Sequence, residues 1–361
     1  MARIGIMTFL HNENCGSSLQ ALALQQTLRG MGHEPFGLDY RPSRAEKIRN
    51  LTRSGNSPAV VLDSLRRRRG HGERNTDGFD AFNRERLNLS DPAHNRRELA
   101  ALAQDCDLLL AGSDQVWSPE WLNASYFFDF IDTKPRLSYA CSLGVSVSPG
   151  PRKEEKLRRL CGGFRHISVR EEEGRGLLAK LLPDRDIAVT PDPVFLRSKE
   201  TWLDLAGRPE NAPVLAAYFI KDDPSYVDRS AALARDTGLS LKPLAVTAGM
   251  LAQPGAVPNP APLDWLREIA ASSWVITDSF HGAAMAAILG KPLTILRRWK
   301  DEDPQSKNSR IDQLMRLLGW TQGLSCQPSG AVDARVAELR EDGLSWLRNA
   351  IEESLEFCGK R

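Results

Sequence analysis

Cysteine is scarce and scattered: the 361 residues hold six, Cys15, Cys106, Cys141, Cys161, Cys326 and Cys358. No two form a Cys-x-x-Cys pair, and no Cys/His set has the spacing of zinc ligands. Reduced thiols are therefore expected, with neither a disulfide framework nor a metal site. Long apolar runs are missing too. The first, Ile4 to Leu10, breaks at His11, too soon for a signal-peptide core, and nothing approaches the ~20 apolar residues of a membrane span. A cytoplasmic location is expected, with membrane contact only at the surface. Charge of one sign is not in excess: 48 Lys and Arg face 46 Asp and Glu, for a formal net charge of +2. Aromatics make up 7%, and none are interleaved in the basic stretches for base stacking, so no nucleic-acid partner is expected. A G-x-G-x-x-G fingerprint is also absent, which argues against a Rossmann dinucleotide cofactor.

What the chain has is alternation. Apolar runs of strand length, such as Ile4–Phe9, Asp107–Ala111, Arg136–Ser142, Val214–Ile220 and Val275–Thr277, recur between stretches with helical spacing. That order predicts parallel sheets flanked by helices. The length suits about two domains of ~150 residues, and the polar, proline-bearing stretch Arg197–Pro213 is the expected boundary. The division is into 1–205 and 206–361. Ser17 or Ser18 is expected to cap a helix over Leu19–Met31. The last stretch, Val332–Phe357, reads as two helices broken near Gly343.

The most informative run is Val275 to Gly290. A β-branched strand ends in Asp278, Ser279 and His281. Gly282 then turns the chain into a helix of small residues. Free N–H groups and the helix dipole at such an elbow favour an anion, and a histidine there can carry a proton or pair with a phosphate. The same residues also suit a helix cap beside a structural histidine. Similar polar elbows follow other strands: His11–Gly16, and Gly112-Ser113-Asp114-Gln115-Val116-Trp117. These lie at the carboxyl ends of strands, where α/β folds bind ligands. Between Arg41 and Arg74 the composition turns basic, with Arg66 to Arg69 as its densest cluster. A solvated excursion with one or two helices accounts for it; contact with anionic lipid or a lipid-linked diphosphate is the sharper alternative.

Taken together and in order, several elbows resemble the polysaccharide pyruvyl transferase family. They are Asn14-Cys15-Gly16-Ser17-Ser18, the Gly112–Trp117 run, Ser138 to Gly144, Ser168-Val169-Arg170-Glu171, Asp192-Pro193, Asp278 to Gly282 and Asn308-Ser309-Arg310-Ile311. The likeness runs from the first strand past residue 318. It implies two Rossmann-like parallel-sheet domains facing a cleft, the glycosyltransferase-B-like architecture. It also implies transfer of a pyruvyl group from phosphoenolpyruvate to a sugar of a polysaccharide or glycan precursor, often as a cyclic ketal. The partners implied are phosphoenolpyruvate and a glycan or lipid-linked saccharide, with no further cofactor. Two positions depart from the family pattern. Cys15 stands where an aromatic is common, and Ser279-Phe280 stands where well-studied members often carry Arg-Leu.

That chemistry assigns roles. The donor needs clustered cationic and N–H donors, a general acid for its methylene carbon and a base for the attacking hydroxyl. Family resemblance singles out Arg170 for donor binding, where its planar fork suits phosphate or carboxylate; a salt bridge to Glu171 or Glu172 is the alternative. His281 is assigned phosphate contact or acid catalysis, assisted by the N–H groups of Gly282 and Ala283. Asp114 is the candidate second acid/base or acceptor-binding group. Asn14, Gly16, Ser17, Ser113, Gln115, Ser279 and Gly282 are expected to line the substrate site, with Arg310 reaching in from the second domain. Trp117 and Trp121 suit either sugar stacking or packing. Loops such as Ala252–Pro262 and Trp299–Lys307 are expected to select the acceptor. A nucleotide-sugar glycosyltransferase, or a non-catalytic glycan-binding protein on the same scaffold, would fit many of the same residues.

Overall fold

The computed structural model describes residues 1–53, 75–145, 147–299, 308–320 and 325–359. The Arg66–Arg69 cluster, Arg74 and most of the 299–307 loop lie outside the described residues.

Two six-stranded sheets organise the chain. The first contains β1 (Arg3–Met7), β2 (Glu34–Gly37), β3 (Leu108–Ala111), β4 (Arg136–Cys141), β5 (His166–Val169) and β6 (Ile187–Val189). Its order is β2-β1-β3-β4-β5-β6, and every pairing is parallel. The all-leucine start of β3 is wholly buried, as a strand covered on both faces must be. The second sheet contains β7 (Ala212–Tyr218), β8 (Ser240–Ala245), β9 (Val257–Pro258), β10 (Ser272–Thr277), β11 (Leu293–Ile295) and β12 (Ser325–Cys326). Its order is β12-β11-β10-β7-β8-β9, parallel except for the short β12, which runs against β11. In each sheet the chain reverses its direction of travel once, between β1 and β3 and again between β7 and β10. Those switch points open crevices beyond the carboxyl ends of the strands.

Two helices are buried over most or all of their length. The helix Cys15–Gly30 starts earlier than its serines suggested, because Asn14 is the cap: its side chain accepts from the Ser17 N–H. An unbroken run from Cys15 to Gln25 is buried, since the first sheet covers one face and elements of the second half, among them the helix Pro262–Ala271, cover the other. The helix Phe280–Ile288 is buried along its whole length. The first buries Leu19, Leu22, Leu24 and Leu28 and gives its buried Ser17 and Gln20 hydrogen-bond partners; the second is built largely of alanine, at Ala283, Ala284, Ala286 and Ala287. One apolar cluster joins the halves, with Leu19, Leu22, Phe79 and Phe82 packed among Trp265, Leu266, Phe280 and Ala283.

The last helix corrects an expectation. It is continuous from Gly330 to Gly359, without a break at Gly343. Its start, at Val332 and Leu339, packs into the shared cluster. Its later turns, at Leu347, Ala350 and Ile351, lie against Ile4, Ile6 and Leu110 of the first sheet. Gly343 is there for closeness: a Cβ would stand 2.6 Å from Tyr139 Oη and 2.7 Å from Leu196 Cδ2.

Candidate functional site

In the first sheet, the residues just beyond the strands converge. After β1 comes the Asn14-capped helix; after β3, Ser113 and Asp114; after β4, Ser142; after β5, Arg170 and Glu171; after β6, Asp192. Asp114 has φ +73° and ψ −179°, a conformation that L side chains avoid. Its carboxylate accepts from the Ser17 hydroxyl and from the Gln115 N–H at 2.8 Å, and Ser17 in turn accepts from Asn12 Nδ2 at 2.9 Å. The Ser17–Asp114 contact thus bridges the switch point of the first sheet.

Arg170 is 2% exposed and gripped by two carboxylates. Its Nη1 donates to Asp192 Oδ2 at 2.6 Å and its Nε to Glu171 Oε1 at 3.2 Å, while its guanidinium carbon lies 4.3 Å from the centre of the Phe280 ring. Burial opposes the charge, but Glu171 and Asp192 outweigh it and hold the proton more firmly than usual. Asp192 is a hub. It also accepts from the Ser113 hydroxyl at 3.0 Å and the Val194 N–H at 3.2 Å, and His281 Nε2 stands 3.4 Å from its Oδ2. Burial would raise the Asp192 carboxyl, yet His281 and Arg170 keep it well below the ordinary carboxylate range. The His281–Asp192 contact is at ion-pair distance without hydrogen-bond alignment, so Nε2 is buried and makes no hydrogen bond among the described residues. Gly16 makes the approach possible, because a Cβ there would overlap the imidazole.

The second half supplies the opposite wall. Asp278, at the switch point of that sheet, accepts from the N–H groups of Ile220 and Lys221 at 2.8 and 3.0 Å and pairs with Arg298 Nε at 3.1 Å. Burial raises its carboxyl, with Arg298 opposing. Arg310 opens the helix Ser309–Leu317, which meets the helix Glu172–Leu181 through Arg316 and Glu173 at 3.2 Å. Burial, then the charges of Arg170 and Arg298, pull the Arg310 guanidinium down to about 10, while Glu171 and Asp114 oppose. Its Nε is buried with no partner among the described residues. Three guanidinium groups therefore share one electrostatic neighbourhood.

The structure brings together Asp114, Arg170, His281, Arg310, Asn14, Gly16 and Ser17. Other expected contacts are already committed. Ser279 caps its helix by accepting from the Gly282 N–H, and the Ala283 N–H bonds the Ser279 carbonyl, so those two N–H groups are not the anion donors they were expected to be. The Ser113 hydroxyl is held by Ala140 and Asp192 beneath the surface. Gln115 keeps a buried Nε2 with no partner among the described residues. Trp117 is core, stacked on Phe127 at 4.9 Å; Trp121 is half-buried and donates to the Gln115 carbonyl. Burial raises the Cys15 thiol, which stays protonated and donates to the Pro260 carbonyl. Glu171, Asp192 and Arg298 escaped the sequence reading as site residues. Glu171 was visible only as a salt-bridge partner and Asp192 as part of an Asp-Pro turn, because their meeting depends on neighbouring strand ends and not on spacing.

A family model described as polysaccharide pyruvyl transferase matches residues 14–299. No curated protein matches the sequence. Among solved structures, UDP-GlcNAc 2-epimerase from Neisseria meningitidis bound to UDP-GlcNAc is similar at 12% identity and a TM-score of 0.52, covering 98% of this chain and 100% of that one. MnaA of S. aureus with UDP is similar at 13% identity and a TM-score of 0.50, covering 99% and 97%. At such identity these likenesses establish the two-sheet fold and nothing of the chemistry.

Proposed function

Because the chain belongs to the polysaccharide pyruvyl transferase family, and is a transferase on that ground, we propose that it moves a pyruvyl group from phosphoenolpyruvate onto a sugar of a glycan or glycan precursor. The observation that carries this reading is the convergence of Arg170 and His281, from opposite halves, on the single carboxylate of Asp192. The ionised Asp192 gives an imidazolium at His281 a counter-charge. His281 then protonates the donor methylene carbon, C3, and positive charge develops at C2. Arg170 and Arg310, whose Nη2 and Nε have no partner among the described residues, hold the phosphate and carboxylate. The guanidinium charge that well-studied members often carry at the position of Ser279 comes here from Arg310, with Arg298 nearby. Asp114 and Ser17 orient the acceptor.

The test is direct. Purified protein given phosphoenolpyruvate and a panel of glycosides should release phosphate only when an acceptor is present, and His281→Ala should abolish the release. Undiminished release by that variant removes His281 from the mechanism. Thermal stabilisation by a nucleoside diphosphate, and none by phosphoenolpyruvate, would replace the reading with sugar transfer.

A further inference from the structure

Four buried carboxylates gather at the strand ends of the two sheets, Asp114, Glu171, Asp192 and Asp278, and their hydrogen bonding separates them. Asp114 takes the Ser17 hydroxyl and the Gln115 N–H. Asp192 takes Ser113, Arg170 and Val194. Asp278 takes two N–H groups and Arg298. Glu171 alone has an oxygen left over: Oε1 accepts from Ser142 at 2.6 Å and from Arg170, while Oε2 is buried with no donor among the described residues. Among the described residues, the buried atoms without a partner beside these groups include Arg170 Nη2, Arg310 Nε, Gln115 Nε2 and His281 Nε2. All four can donate. A buried polar atom left unmet costs roughly 1–3 kcal/mol, and more when charged, so the set describes its ligand: a multiply charged acceptor of hydrogen bonds that arrives with one donor. Phosphoenolpyruvate, fully ionised, supplies only acceptors. The donor must come from the second substrate.

We propose that Glu171 Oε2 receives the attacking hydroxyl of the acceptor sugar and is the general base of the transfer, an assignment that rests on the pyruvyl-transfer reading above. As His281 delivers its proton to C3, the first hydroxyl oxygen bonds to C2 and its proton passes to Glu171. The C2–O bond to phosphate then breaks, the electron pair leaves with phosphate, and Glu171 returns the proton to it. When a second hydroxyl closes the ketal at C2, its proton restores His281. Two hydroxyl protons are thus accounted for, one on the new methyl group and one on phosphate. Glu171 adjoins the guanidinium assigned to the donor, with Arg170 Nε 3.2 Å from its Oε1.

Glu171→Gln keeps the shape and the Oε1 contacts but removes the base. With the full chain and the glycoside panel used for the parent, the variant should bind phosphoenolpyruvate within about twofold of the parent by calorimetry. Acceptor-dependent phosphate release should fall by about 10²–10⁴-fold. Release within fivefold of the parent overturns the assignment, and so does a tenfold loss of phosphoenolpyruvate affinity, which would make Glu171 a support for Arg170. Should the glutamine variant not fold, Glu171→Asp keeps the charge and withdraws it by one methylene. It must lose at least tenfold in release at unchanged affinity, and parental turnover would sink the idea. A parent inactive with every glycoside removes the pyruvyl-transfer reading itself, and this assignment with it.

Discussion

Arg310 is the residue whose energetics point most directly at a ligand. A cation whose pKa falls on folding, here to about 10 from 12.5, costs stability at every pH below the folded value, and the cost fades as pH climbs toward the unfolded one. At neutral pH the protein therefore carries a guanidinium it would be more stable without. A bound anion offsets that cost. Arg310→Met should leave the ligand-free protein at least as stable as the parent, read by urea unfolding. It should also weaken phosphoenolpyruvate binding by about 10–100-fold, the worth of a charge-assisted contact of roughly 1.5–3 kcal/mol. Equal affinity in the two proteins would show that the anion lies elsewhere. Gly16 makes the complementary point: its missing side chain is the space that the His281 ring occupies.

At the scale of elements, the final helix shows how a glycine misleads. Gly343 reads as a breaker, since glycine in a helix interior is about 1 kcal/mol worse than alanine. In place, it lets the helix press on Tyr139, on Leu196 and, at 3.0 Å, on Pro191 Cγ. Pro191 to Leu196 is the turn that holds Asp192, so the helix braces the hub of the site from behind. Gly343→Ala should gain helix propensity yet destabilise the fold by about 1–3 kcal/mol through overpacking. It should also slow phosphate release while Arg170 and His281 are untouched. A more stable and fully active variant would contradict this account. The strands were legible because buried parallel strands are continuous apolar runs, and β1, β3, β7 and β10 fall where those runs do. The helices around the site were legible to within a few residues. What spacing could not show was the antiparallel β12, the Asn14 cap chosen over two adjacent serines, and the gathering of Glu171 and Asp192 around Arg170, since each depends on a neighbour in space.

Across the whole molecule, the halves are joined by a core and not only by a hinge. Leu19 and Leu22 from the first half and Trp265, Leu266 and Ile269 from the second belong to one buried cluster. Cys15 Sγ donates to the Pro260 carbonyl at 3.4 Å, and Asn75 Nδ2 donates to the Asn259 carbonyl at 2.9 Å. The last helix ties back across both sheets. Two Rossmann-like units with separate cores would open independently, whereas this arrangement couples them. Leu266→Ala removes buried methyl groups from the shared cluster and should cost about 2–5 kcal/mol. If the halves fold as one unit, native-state hydrogen exchange should register that same loss in the amides of β3, far in sequence from the substitution, as in those of β10. Loss confined to β10 would show two independent units. The same coupling sets how a ligand acts: phosphoenolpyruvate at 100 times its dissociation constant stabilises the fold by about 2.7 kcal/mol, and that gain should appear equally in β3 and β10. The groups assigned to hold it, Arg170 and Arg310, come from different halves and feel one another's charge, so an anion held between them strengthens the contact that the shared core has already made.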